Sequence, residues 1–227
     1  MSSEDSYARL SVGAFLDALA AGAPAPAGGS AAALVLAQAA ALCAKSARLS
    51  GRQLTASRAA ELTAEAEQIR ATAASLIDED PRAYQAVIDQ SRRIGGEQSR
   101  RIGGERQAKR SAARRSDGIA AALSAAADVP MRIVELATSV AALAAVLARD
   151  GKPALRGDAI AAGLLARAAA RAAAALVSIN LADRPADPRH SRADSLLAAI
   201  DEQLLPVSGG GDGHLPPSRR RPTRAAR

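Results

Sequence analysis

Alanine decides what this chain can fold into. It fills two long runs, Ala31 to Leu49 and Asp158 to Leu181, and carries much of the 48% apolar share. Alanine loses no side-chain rotamer freedom in a helix, is the strongest helix former, and lets helices approach closely. Strand-favouring residues are scarce: Tyr7, Phe15 and Tyr84 are the only aromatics, and runs of β-branched residues are few. The expected fold is all-α, a bundle of about six to seven helices with no sheet.

Punctuation along the chain sets the helix boundaries. A first helix is expected from about Ser11 to Ala21, with Val12, Phe15, Leu16 and Leu19 on one face. Gly22, Pro24 and Pro26 stop it. Ala27-Gly28-Gly29-Ser30 follows, with Ser30 as the natural N-cap of the run that Gly51 ends. A third helix is expected from about Ser57 through Ile77, with Pro81 as a kink or restart. Ile133, Leu136, Val140, Leu143 and Leu147 recur at steps of three and four, the seam of a bundle helix. A last helix is expected from about Ser191 to Leu205.

The octad Gln90-Ser91-Arg92-Arg93-Ile94-Gly95-Gly96-Glu97 recurs unchanged as Gln98 to Glu105. Two Gly-Gly pairs make helix costly, so residues 90–105 read as a flexible basic loop. From Gln90 to Ser116 there are nine Lys or Arg and two Asp or Glu, and the tail 207–227 adds five Arg and one Asp. The net charge of +7 therefore sits in two segments, and the rest of the chain is mildly acidic. The expected organisation is one helical domain over residues 1–206, followed by a disordered basic tail at 207–227. Such arms are the feature that would bind a polyanion. No aromatic side chain is interleaved with the arginines, which weakens a single-strand-binding reading, and a nucleic-acid partner is not expected.

Cys43 is the lone cysteine and cannot form an internal disulfide, which suits a reducing, cytoplasmic compartment. The first ten residues lack the basic and apolar regions of a secretory signal. The most apolar stretches are interrupted by Gln38, Glu135, Arg167 and Arg171, so no membrane span is expected. His190 and His214 have no partner at metal-ligand spacing, and no metal site is expected.

Two motifs have chemical potential. The turn Pro24 to Ser30 offers small residues and a helix N-terminus to a ligand, although a plain serine-capped turn explains it as well. Asp78 and Asp80 form a carboxylate pair, but residues two apart on a helix do not share a face, so at most one points into a given site. The plain alternative is a solvated acidic helix end.

In this order the pieces resemble the cyclodeaminase/cyclohydrolase family of folate enzymes, over roughly Leu10 to Ala182. The matching segments are Phe15-Leu16, Gly28-Gly29-Ser30-Ala31-Ala32-Ala33, Leu76-Ile77-Asp78-Glu79-Asp80 with Ala83-Tyr84, Ala126 to Pro130, Arg156-Gly157-Asp158-Ala159, and Ile179-Asn180-Leu181. The resemblance implies long antiparallel helices, a homodimer or higher assembly, a tetrahydrofolate substrate, and no cofactor. It places the catalytic aspartate on Asp80 and substrate-binding positions on Gly28, Gly29, Ser30, Asp158 and Asn180, with Arg156 suited to the substrate's carboxylates. The implied activity forms or hydrolyses the 5,10-methenyl bridge of tetrahydrofolate. The chain departs from the family pattern at Ala27, where a glycine is usual, at Leu176, where an asparagine is usual, and in the arginine octads. Those departures favour a second reading: an inactive helical scaffold whose basic arms bind nucleic acid or a protein partner.

Overall fold

The alanine-rich runs are helices, as their composition dictates. The computed structural model describes residues 6–98 and 117–208, and among them there is no strand. A 3-10 turn at Tyr7–Arg9 precedes α1 (Val12–Ala20), α2 (Gly28–Arg48) and α3 (Ala56–Gln98). A helix at 117–126, α4, leads through a turn at Ala127 into α5 (Asp128–Asp150). After a 3-10 turn at Pro153–Leu155 come α6 (Arg156–Asn180) and α7 (Pro188–Ser208).

Polar contacts between helices fix their directions. Ser30 bonds to Asp80 while Arg48 pairs with Glu67 at 3.0 Å, so α2 and α3 are antiparallel. Lys45 pairs with Asp158 at 2.7 Å at one end of α2, and Gly28 lies beside Leu176 at the other, so α6 also runs against α2. Arg132 near the start of α5 reaches Glu79 at 2.5 Å. One end of the bundle therefore gathers the N-termini of α2 and α5, the C-terminus of α6 and the middle of α3. Arg189 holds the start of α7 to that end, donating to the Ser124 carbonyl and hydroxyl, both at 2.7 Å, and pairing with Asp128 and Asp187. The Arg189 guanidinium holds the Asp187 carboxyl far below the usual carboxylate range.

The core alternates a few large side chains with many alanines. Leu36, Leu62, Leu76, Ile133 and Leu147 are fully buried, each contributing roughly 1.5–3 kcal/mol of transfer free energy. Ala33, Ala40, Ala137 and Ala166 between them have no exposed surface, and they let the backbones close in. The seam is as expected: Ile133, Val140, Leu143 and Leu147 are buried and Leu136 partly so. Cys43 has no exposed surface, and burial pushes its thiol up to about 12, which leaves it an unreactive small hydrophobe.

Several expectations need correction. In α1 only Phe15 is buried; Val12 is 67% and Leu16 54% exposed, so its expected apolar face is not a core face. Ser30 is not the N-cap of α2. That position is Ala27, and Ser30 lies inside the first turn with no exposed surface. Pro81 does not interrupt α3, which passes through it. The backbone of α3 continues through the first octad to Gln98 rather than starting a loop; residues 99–116, which hold the rest of the second octad, and the tail beyond residue 208 lie outside the described residues. Finally, Gly28–Arg48, Asp117–Asp150 and Pro153–Asn180 are long and apolar enough to cross a membrane, because alanine tips the balance despite the interrupting charges. About half of each apolar window, 56%, 56% and 44%, is buried against the other helices.

Candidate functional site

The site grows from an exchange between α2 and α3. A proline inside a helix lacks the N–H that would bond the carbonyl four residues earlier. For Pro81 that carbonyl belongs to Ile77, and the buried Ser30 hydroxyl donates to it at 2.8 Å. In return, the Ser30 amide, one of the unpaired donors in the first turn of α2, donates to Asp80 Oδ2 at 3.1 Å. An acidic side chain from another helix thus does the capping that Ala27 cannot, and it sits at the positive end of the helix dipole. Ser30 and the Asp80-Pro81 pair complete each other.

Gly29 explains how closely the carboxylate approaches. A Cβ at Gly29 would overlap both the Oδ1 and the Cγ of Asp80. Gly28 is under no such constraint, since the nearest side-chain atoms to its Cβ position are Leu176 methyls at 4.0 Å. Among the described residues none has positive φ, glycines included, so Gly29 serves close approach rather than backbone conformation. Ala27, at the usual glycine position, has φ −135° and is unstrained.

Asp80 opens onto a cavity of about 470 Å³ between the Pro24–Gly29 turn, α3 and the end of α6. The wall is mostly apolar, with Tyr84, Ile88, Leu176 and Ile179 prominent, and Gln85 and Asn180 add amides. Asp80 is its only carboxylate among the described residues. Burial lifts the Asp80 carboxyl above its ordinary range, and the Ser30 hydrogen bonds only partly oppose that. A carboxyl moved toward neutrality inside an apolar pocket is suited to taking up and returning protons.

Asp78 faces elsewhere, as two-residue spacing on a helix requires. It is 8% exposed and accepts from the Ser6 hydroxyl at 2.5 Å and the Tyr7 amide at 2.7 Å. The Tyr7 hydroxyl donates to the Ala25 carbonyl at 3.3 Å, on the pocket turn. Asp78 thus ties down the N-terminal turn that supports the pocket wall.

The expected site residues divide into two groups. Gly28, Gly29, Asp80 and Asn180 line one pocket, with Ser30 directly beneath it. Arg156 and Asp158 stand at the other end of the bundle. Asn180 and Asp158 are at opposite ends of α6, about 33 Å apart at 1.5 Å per residue. Asp158 is occupied by Lys45, and Arg156 lines a different cavity of about 350 Å³ with Arg149 and Gln203. The sequence reading gave Tyr84 no site role and did not single out Gln85 or Ile88. The signal was present: Asp80, Tyr84 and Ile88 are four apart and share a face once α3 is allowed through Pro81. Among the described residues no cluster of His, Cys, Asp and Glu is placed to hold a metal ion.

A sequence profile described as formiminotransferase-cyclodeaminase matches residues 11–191. No curated protein matches the chain. Among solved structures, the formiminotetrahydrofolate cyclodeaminase of Thermotoga maritima superposes with a TM-score of 0.69 at 22% identity, covering 88% of this chain and 92% of that one. At that identity the likeness shows a shared fold.

Proposed function

The chain belongs to the formiminotransferase-cyclodeaminase family, and from that premise and its pocket we propose that it is a folate one-carbon enzyme that forms or hydrolyses the 5,10-methenyl bridge of tetrahydrofolate. The observation that carries the reading is the half-buried Asp80, the only carboxylate among the described residues of an apolar pocket, fixed by the first turn of α2.

The bridge carbon lies between two nitrogens and shares their positive charge. In hydrolysis, water adds to that carbon and Asp80 takes the proton that the water sheds. The tetrahedral adduct then collapses: the bond to the ring nitrogen breaks, that nitrogen receives the proton back from Asp80, and the hydroxyl proton leaves to solvent as the formyl group forms. In cyclodeamination, a secondary amine nitrogen attacks the formimino carbon, and Asp80 carries the proton from the attacking nitrogen to the imino nitrogen. A second proton from solvent completes ammonia as the carbon–nitrogen bond breaks and the cation forms. In both directions an ionised Asp80 beside the cation stabilises it in a site of low dielectric. The apolar wall around Tyr84, Ile88 and Leu176 suits the flat pterin and aryl rings of a folate.

The test is an absorbance assay of methenyltetrahydrofolate decay with the full chain, alongside ammonia release from formiminotetrahydrofolate. Acceleration of one reaction, lost in Asp80→Asn, is expected. No acceleration of either reaction would refute the proposal and favour the scaffold reading.

A further inference from the structure

One requirement of the proposed substrate is unmet inside the pocket. A folate ends in glutamate, so one end of the molecule carries carboxylates. Among the described residues the pocket wall holds no Lys or Arg, and Asp80 is its one charged side chain. Arg156, the cation suited to that end by motif, lines the other cavity at the far end of the bundle. A carboxylate taken out of water needs a cation or several donors, and a mostly apolar wall supplies neither. The glutamate end therefore leaves the pocket, and its binding depends on which cation stands at the exit.

The register of α3 names that cation. Asp80, Pro81, Tyr84, Gln85 and Ile88 all line the pocket. At 3.6 residues per turn they span an arc of about 140°, with Asp80 at one edge and Gln85 at the other. The helix runs on past Ile88 to Gln98, so the same arc continues beyond the pocket. Arg92 falls inside it, within about 20° of Pro81 and of Gln85. It stands about 6 Å along the axis from Ile88 and about 18 Å from Asp80, at 1.5 Å per residue. Long side chains on a helix lean back toward its N-terminus, which carries the guanidinium toward the pocket and shortens that span by several ångströms. From the bridge to the glutamate carboxylates a folate spans roughly 10–12 Å, an aryl ring and an amide at ordinary bond lengths. The two spans match.

Arg92 is also uncommitted. It is exposed and makes no hydrogen bond or ion pair with its side chain among the described residues. Asp89, its neighbour one turn back, accepts from the Gln85 amide at 2.8 Å instead. Arg82, another exposed cation on α3, points about 60° beyond Gln85 and so outside the arc. We propose that Arg92 holds the glutamate carboxylates of the substrate at the exit of the Asp80 pocket, and so makes the protein prefer a folate with a charged tail. The assignment rests on the folate function proposed above. A guanidinium pairs a carboxylate through two parallel hydrogen bonds. The contact is remote from the reacting carbon and equally present before and during reaction, so it acts on KM and leaves kcat alone.

The test compares methenyltetrahydrofolate with its diamide, in which both glutamate carboxylates are amidated and only the charge is lost. With the full chain, KM for the charged substrate should lie about three- to tenfold below that for the diamide, and the gap should narrow as salt is raised. Arg92→Gln should raise KM for the charged substrate by that factor and leave kcat and the diamide's KM unchanged. Arg92→Lys should recover part of the preference, and Arg82→Gln should keep all of it. A preference that survives Arg92→Gln, an equal loss on both substrates, or a loss in Arg82→Gln would overturn the assignment. Calorimetric titration with the unreactive 5-formyltetrahydrofolate and its diamide separates this from the function itself. A wild type that catalyses nothing yet binds the charged form more tightly through Arg92 refutes the reaction and upholds the contact. An active enzyme indifferent to the tail charge refutes the contact alone, and a chain that binds neither form refutes both.

Discussion

Two adjacent glycines should respond in opposite ways to the same substitution. In Gly29→Ala the new Cβ overlaps the Asp80 carboxylate, which must retreat by about 1 Å to reach the 3.0 Å that real contacts respect. The carboxylate sits on a short side chain tied to the Ser30 amide, so retreat sacrifices that bond. Losing a charge-assisted hydrogen bond costs roughly 1.5–3 kcal/mol. Replacing glycine with alanine in a helix returns up to about 1 kcal/mol. The net loss of stability should thus be modest, about 1–2 kcal/mol, and the thermal midpoint should move only a few degrees. The rate should suffer far more, because a displacement of about 1 Å in a reacting group can cost on the order of a hundredfold. Gly28→Ala meets only the Leu176 methyls at 4.0 Å and should keep or raise the midpoint. Thermal unfolding and the methenyl-decay assay on both variants separate the effects. A Gly29→Ala enzyme with wild-type rate would refute the idea that this glycine exists to admit the carboxylate.

Asp80→Asn should lose roughly two to four decades of rate, the range for a general acid–base group, and yet gain stability at neutral pH. The sign follows from the raised carboxyl: the folded state prefers its neutral form, so wild type is relatively most stable below the ordinary carboxylate range and loses that margin as pH rises through the folded value. Paired melts at acid and neutral pH should show the variant's advantage only at the higher pH. Asp78→Ala should cost roughly 2–3 kcal/mol by releasing the Ser6 and Tyr7 bonds, measured by denaturant unfolding, with the proton-transfer step itself intact. Gly163→Ala should cost about 1–3 kcal/mol by overpacking, since its Cβ would lie 2.6 Å from a Leu204 methyl and 3.5 Å from Ala144; an unchanged midpoint would show that α7 yields easily.

Alanine made the fold legible before any coordinates, because helix propensity and close packing act through local composition. The site was half legible. The glycine turn and Asp80 stand out in the chain, and they do meet. Hidden was the face that joins Asp80 to Tyr84 and Ile88, because Pro81 reads as a break. Its missing bond is repaired by a hydroxyl from another helix, which no local pattern displays. Arg156 and Asp158 were matched by motif, but helix direction, a property of the tertiary packing, sends them to the far end.

That repair has a consequence for how the chain can change. Pro81 creates a vacancy at the Ile77 carbonyl, and Ser30 fills it from a different helix. Replacing Ser30 alone strands a buried carbonyl, whereas in a chain that has already exchanged Pro81 for alanine the backbone supplies its own donor and the hydroxyl becomes surplus. The two substitutions should therefore be far from additive, each masking much of the other's cost. Sequence drift through this part of the molecule has a preferred order, the proline first and the serine after it.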